Sequence, residues 1–415
     1  PPKCLPVTIP QRWPCSRQWA RAWIPQSSRG RKIRRRSASL CASRIRFQGY
    51  VSCTSSNQYN FSGGYVGYSN GELVIENCYA SGKVSASGGT TNRIGGFVAN
   101  VHSNGILTIK SCVFDGEVLL ESGKGFCTIG GFVGSNFTSL AIEESFSSGK
   151  VSTGDAKECR VGGFVGDNGN NTVESKITMK SCTFDGEIFS ESEVENCLIA
   201  GCLGNNFGEL IVENSSVSGK IFTYQGVVSN WTAGFLGANQ LTGTINIKSS
   251  VFNGEVFSEF AKSSYLGGYI GNNGGFFSIE ESSSYGLISS MSDEDCRIGG
   301  FVGNGLSAGT IIIKSCVCDG EIMSKKGVNS CLSGGYIGNN LGKLTIEESL
   351  STGKVSIEGG VDCRAGGFVG SAKTGTITMK SCTYEGEVSS SGTDINASGG
   401  YMGVFSGEQS IEGCS

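Results

Sequence analysis

Gly95-Gly96-Phe97-Val98, Gly130-Gly131-Phe132-Val133-Gly134 and Gly162-Gly163-Phe164-Val165-Gly166 are one element written three times. It appears earlier as Gly63-Gly64-Tyr65-Val66-Gly67 and continues at Gly267, Gly299, Gly334, Gly366 and Gly399, with variants at Ala200-Gly201 and Ala233-Gly234. Successive second glycines are 32 to 38 residues apart, so eleven units of about 33 residues span residues 60–415. Self-similarity at such a period marks an array in which each unit buries its apolar face only against its neighbours.

Two further landmarks recur in each unit. One is an alternating run such as Leu107-Thr108-Ile109-Lys110-Ser111-Cys112, and the other is Gly-charge-aliphatic-Ser, as in Gly149-Lys150-Val151-Ser152. Short alternating segments rich in aliphatics and aromatics, bounded by Gly, Asn and Ser, have the chemistry of strands. No apolar stripe of helical period is present. Three short strands per unit at near-constant length predict an all-β fold, a right-handed parallel β-solenoid (β-helix) of about eleven coils. Turns about 4.8 Å apart would make a rod of roughly 50 Å. A β-propeller needs four strands per blade and fits less well.

Composition divides the chain in two. Residues 1–47 hold all six prolines, three of the four tryptophans, twelve Lys/Arg and no acid, leaving 21 Lys/Arg against 36 Asp/Glu in residues 48–415. The expected division is therefore a basic leader or linker over 1–47, outside the repeat fold, and the solenoid over 48–415. The chain begins without Met and stops in mid-repeat, as expected of a fragment or a processed protein. No apolar run reaches the length of a membrane span, so no transmembrane segment is expected. An array with net charge near −15 is a poor partner for nucleic acid.

The residue after the second-strand aliphatic reads Glu76, Lys110, Glu143, Lys180, Glu213, Lys248, Glu280, Lys314, Glu347, Lys380, Glu412. The third-strand column runs in opposite phase from Lys83 to Glu387, broken only by Leu287. Stacked in register, opposite charges meet at every step, and a slip by one turn would set like on like. The true repeat is thus a two-turn unit of about 67 residues.

Cys127, Cys159, Cys197, Cys296, Cys331 and Cys363 each precede a second glycine by four residues, and Cys78, Cys112, Cys182, Cys316, Cys382 and Cys414 end the second strand. Neighbours in a stack fall within disulfide reach, so these are candidate disulfides or stacked thiols. His102 and Cys316-Val317-Cys318 do not supply the ligand spacing of a metal site, and no cofactor is expected. N-glycosylation sequons stand at Asn60, Asn136, Asn170, Asn214, Asn230 and Asn396. Three of them, Asn60, Asn230 and Asn396, share the pre-glycine column with cysteine, which suggests an exposed loop and an extracellular or cell-surface setting.

The aromatic column Tyr65, Phe97, Phe132, Phe164, Phe235, Tyr269, Phe301, Tyr336, Phe368, Tyr401 is the candidate ligand-stacking surface. If the adjacent aliphatics point inward, alternation sends the rings outward, where they can stack on sugars. The favoured alternative is a glycine corner that lets both columns fill the core.

The pattern Gly-Gly-Phe-Val-Gly…Ile-x-x-Cys…Ser-Gly-Lys-Val-Ser resembles the GLUG repeat of bacterial IgA-peptidase-like and other large surface and adhesin-like proteins, over residues 60–415. That resemblance implies an accessory array without catalytic activity of its own. Beside it, the acids here are periodic rather than clustered in a groove, and no nucleophile elbow or phosphate loop is present, so no enzymatic activity is expected. The expectation is a secreted or cell-surface rod acting as a stalk or adhesin segment toward a cell-surface or glycan ligand. The alternatives are an end-to-end filament of like chains and, behind it, a carbohydrate-active β-helix enzyme. Glutamates at both ends of the ladder, Glu76 and Glu412, oppose direct joining.

Overall fold

The computed structural model describes residues 40–415, except 57, 171, 173, 191–193, 225–227, 293 and 326–327. Of the basic leader, residues 1–39 lie outside the described residues. Every described element is a strand or a turn, and every strand pairing is parallel between residues one turn apart. The chain is a β-solenoid of about eleven turns.

Each turn has five strand segments rather than three, as Ile106–Lys110, Val113–Phe114, Glu117–Ser122, Phe126–Gly130 and Val133–Asn136 illustrate. The extra segments arise in two places. The run from Leu107 to Cys112 is not one strand, because Ser111 has φ 51° and turns the chain sharply before Val113. The same left-handed corner recurs at Asn77, Glu144, Ser181, Asn214, Ser249, Glu281, Ser315, Glu348 and Ser381. Non-glycine residues there carry backbone strain. Each corner is held by its N–H, which donates to a carbonyl one turn on, as Ser111 does to Glu143 at 2.9 Å. Secondly, the pre-glycine stretch is itself a strand rather than a loop, and in one turn it runs on from its predecessor as Lys150–Gly162.

Like segments stack into four sheets of 12, 11, 11 and 21 strands. We call the sheet containing Ile106–Lys110 the ladder sheet and the one containing Val133–Asn136 the glycine sheet. Leu40–Ser43 pairs with the Leu73–Glu76 stretch and Arg46–Phe47 with Tyr79–Ala80, so the array includes residues 40–47 as well as those from 48 on. By charge composition residues 40–47, with Arg44 and Arg46 and no acid, go with the basic leader; by backbone pairing they go with the array. This extra turn places uncharged Ser43 before Glu76. The ladder therefore does not open on glutamate, and the like-charge argument against joining loses its ground.

Both charge columns are in register. Glu76 faces Lys110, which faces Glu143, and the alternation runs unbroken to Lys380 and Glu412. Lysine Nζ meets glutamate at 3.2 Å in Lys110–Glu143 and Lys248–Glu280, and at 3.3 Å in Lys180–Glu213. These side chains are largely exposed, so each pair stabilises little and its main effect is on register.

The core is a set of columns. Leu107, Ile109, Val118, Leu120, Ile129, Phe132 and Val133 are fully buried in one turn, and their counterparts stack above and below. The second glycine of each corner has no alternative. A Cβ on Gly163 would lie 2.2 Å from the carbonyl oxygen of Gly201 in the next turn and 2.3 Å from the Phe184 ring. Only hydrogen fits where one backbone rests on the next.

Candidate functional site

The ten aromatics form a ladder inside the rod. Phe97, Phe132, Phe164, Phe235, Tyr269, Phe301, Tyr336 and Phe368 are fully buried, as are neighbouring aliphatics such as Val98 and Val133. Tyr65 and Tyr401 pack partly buried against them. Ring centroids are 4.8 Å apart in Phe97–Phe132 and 4.6 Å in Phe235–Tyr269, with planes within 15°. Tyr269 and Tyr336 donate their hydroxyls to core-edge carbonyls, Tyr336 to Cys316 at 2.7 Å and to Leu350 at 2.8 Å. The glycine corner turns rings and aliphatics to the same side, so this column is not a ligand-stacking surface. Cys202 replaces the ring between Phe164 and Phe235 and is buried too.

Three of the six sequons are closed to a glycan. Asn60, Asn136 and Asn230 are buried. Asn60 donates to Asn92 Oδ1 at 2.7 Å, Asn136 to Asn168 Oδ1 at 2.9 Å, and Asn230 to Ser258 Oγ at 2.9 Å. Asn170, Asn214 and Asn396 are exposed. The pre-glycine column is thus interior for Asn60 and Asn230, and the exposed-loop argument for an extracellular setting loses two of its three members.

Among the described residues the cysteines stand as free thiols. Cys127, Cys159 and Cys197 are register neighbours, as are Cys296, Cys331 and Cys363. The second column has a simpler role, because serine takes it over in other turns. The Cys112 N–H donates to Ser145 Oγ at 3.2 Å, the Cys316 N–H to Ser349 Oγ at 3.2 Å, and the Cys78 and Cys382 N–H groups to the sulfurs of Cys112 and Cys414 at 3.4 Å. In these turns a small side chain with one acceptor satisfies the N–H just past the left-handed corner. Burial pushes the Cys182 thiol up to about 11 and those of Cys316 and Cys318 up to about 12, which keeps them protonated and unreactive at neutral pH. Among the described residues no group of three or more His, Cys, Asp or Glu side chains is placed to hold a metal ion.

A second interior feature went unread in the sequence. Asn136, Asn168, Asn206, Asn239 and Asn273 end the glycine-sheet strands of five successive turns, and each donates its amide to the next at 2.8–3.0 Å. The signal was there in Gly-Ser-Asn136, Gly-Asp-Asn168, Gly-Asn-Asn206 and Gly-Ala-Asn239.

The side of the rod carries different chemistry. Two residues before each glycine corner lies the column Phe61, Arg93, Thr128, Arg160, Leu198, Trp231, Tyr265, Arg297, Leu332, Arg364. Its arginines and Thr128 bond to residues seven positions on, across the corner. Arg93 donates to Asn100 at 2.7 Å, Arg160 to both Asp167 oxygens at 3.0 Å, and Arg297 to Asn304 at 2.8 Å. These partners seven positions on are buried, as are Thr128, Leu198, Leu332 and Arg364, so what this face presents is a discontinuous groove of half-buried Phe61, Arg93, Arg160, Trp231, Tyr265 and Arg297 side chains. Arginines also lie over rings at its edge: Arg93 over Phe137 at 4.8 Å, Arg160 over Phe126 at 4.5 Å, Arg297 over Tyr265 at 4.7 Å. Burial pushes the Asp167 carboxyl above the usual range, against the pull of Arg160 and of the Asn205 amide.

The groove is not uniform. Arginine recurs 67 residues apart from Arg93 to Arg160 and from Arg297 to Arg364, but Trp231 stands where the two-turn period calls for another. Its partner seven residues on is Ala238, too small to bridge. A hollow of about 310 Å³ opens there, lined by Arg160, Leu198, Phe207, Trp231 and Gln240 among others. Phe207 also borders a depression of about 760 Å³ with Thr138, Lys176, Thr242 and Thr244. Among the described residues no helix is long and apolar enough to cross a membrane. No family model, curated protein or solved structure matches this chain.

Proposed function

We propose that this protein is a rigid rod of the surface-displayed, adhesin-like kind that binds a partner along its side and does not turn it over. The observation that carries this reading is the discontinuous groove, the half-buried Phe61, Arg93, Arg160, Trp231, Tyr265 and Arg297 side chains on one face, with a hollow beside Trp231. Aromatic and arginine side chains held by neighbours contribute most to recognition surfaces. The carboxylates are committed, since Glu158 and Asp167 both bond to the one Arg160 guanidinium at 2.8–3.0 Å. That arrangement holds charge in place around Arg160, as suits a binding surface. The likeness to GLUG arrays and the exposed sequons at Asn170, Asn214 and Asn396 support a setting outside the cell.

The test is cross-linking of the full chain to intact cell envelopes, with the linked residues mapped by mass spectrometry. Links concentrated along the groove columns are expected. Links confined to the ladder sheet or to the ends of the array would sink the side-binding reading.

A further inference from the structure

The geometry points to the Trp231 hollow as a subsite for one neutral hexose ring of an oligosaccharide, an inference that rests on the side-binding reading and specifies its ligand. Three observations converge on it. Trp231 stacks on Tyr265 with planes 6° apart and centroids at 6.4 Å, which turns one indole face toward Tyr265. The opposite side adjoins the shorter Leu198, its register neighbour, and the hollow lies there. Its volume is at the small end of ligand sites, room for a ring rather than for a folded peptide segment.

The polar groups suit a sugar. Trp231 Nε1 is sealed from solvent, so the indole offers the hollow its ring face rather than its N–H. Gln240 donates through Nε2 to Asn205 Oδ1 at 2.6 Å, which fixes the amide and leaves its oxygen to accept. Exposed Asn196 stands on the opposite wall. A hexose offers an apolar C–H face to the indole and hydroxyls at its rim to the amides.

Charge excludes the acidic sugars. Arg160 is the hollow's one cation, and Glu158 and Asp167 already occupy it, so the three groups together carry one negative charge. The ligand is longer than one ring, because Phe207 belongs both to this hollow and to the larger threonine-lined depression beside it.

The test is calorimetric titration of the full chain with maltohexaose, cellohexaose and chitohexaose, and with polygalacturonate as the anionic comparison. At least one neutral oligosaccharide is expected to bind saturably. Trp231→Ala should weaken it about tenfold or more, and Trp231→Phe, which keeps a ring but loses Nε1–H, by less. Gln240→Ala, whose side chain is half-exposed, gives the same reading if Trp231→Ala fails to fold. The inference is overturned if no neutral oligosaccharide binds below about 1 mM, if polygalacturonate alone binds, or if both variants bind as tightly as the parent. Should envelope cross-links still run along the groove in those cases, the side-binding reading stands and only its ligand is wrong. Without such links both fall.

Discussion

The aromatic ladder, in the glycine bend, and the groove column, on the strand just before it, belong to the same turns, yet they differ in almost every respect. Inside, Phe or Tyr recurs in ten of eleven turns, rings stack 4.6–5.5 Å apart, and the buried tyrosine hydroxyls are satisfied by carbonyls. In the groove column half-buried Phe61, Arg93, Arg160 and Trp231 alternate irregularly with buried Thr128 and Leu198, and sealed donors such as Arg93 Nε and Trp231 Nε1 lack partners among the described residues. Repetition follows from stacking, because a residue that packs on its own image in the next turn is selected alike in every turn. Where a column stops repeating, something other than stacking has chosen the residues.

That contrast can be broken most forcefully from the inside. Phe301→Ala leaves a ring-sized void between Tyr269 and Tyr336 and should cost about 3–5 kcal/mol, read from the urea midpoint of the surrounding turns. Asn206→Ala removes the amide that joins Asn168 to Asn239 and strands their buried groups. Its expected cost is about 1–3 kcal/mol. In the groove, Arg297→Ala loses Asn304 and the Tyr265 face and should cost about 1 kcal/mol. A loss matching that of Phe301→Ala would show the groove to be core, and the comparison would fail.

Two smaller effects sharpen it. The thiols of Cys182, Cys316 and Cys318 titrate at about 11 to 12 in the fold, against 9.0 for an ordinary thiol. A raised folded value means that their contribution is fully present below about pH 9 and is lost as pH climbs from there toward 12. Urea midpoints should therefore fall above pH 9, and Cys316→Ser, as in the serine turns of that column, should lessen the fall. Smallest is Lys248→Glu, which sets like charges against Glu213 and Glu280. Its midpoint shift should vanish in 1 M salt, where exposed charges are screened beyond about 3 Å.

How much of this was legible follows from the same contrast. The glycine period revealed the solenoid, and alternating Glu and Lys revealed the register, since both act through identical neighbours. The corner at Ser111 was hidden because serine and glutamate give no left-handed signal. Asn77, Asn214 and Gly413, residues that do favour such a corner, stand in that same column. The pre-glycine strand reads as a loop in sequence because Phe126-Cys127-Thr128-Ile129 is buried at Cys127, Thr128 and Ile129 alike and gives no polar–apolar alternation. The groove was invisible in one dimension. Its pairs lie seven residues apart across a bend, and their identities change from turn to turn. Only the spacing of Arg93 from Arg160 and of Arg297 from Arg364 hinted at it.

Hydrogen–deuterium exchange of the full chain, alone and with the neutral oligosaccharide that binds best, tests the side-binding account most directly. Slowed exchange confined to peptides covering residues 196–207 and 229–240 is the predicted result. Protection at the ends of the array or along the ladder sheet, with those peptides unchanged, would contradict it.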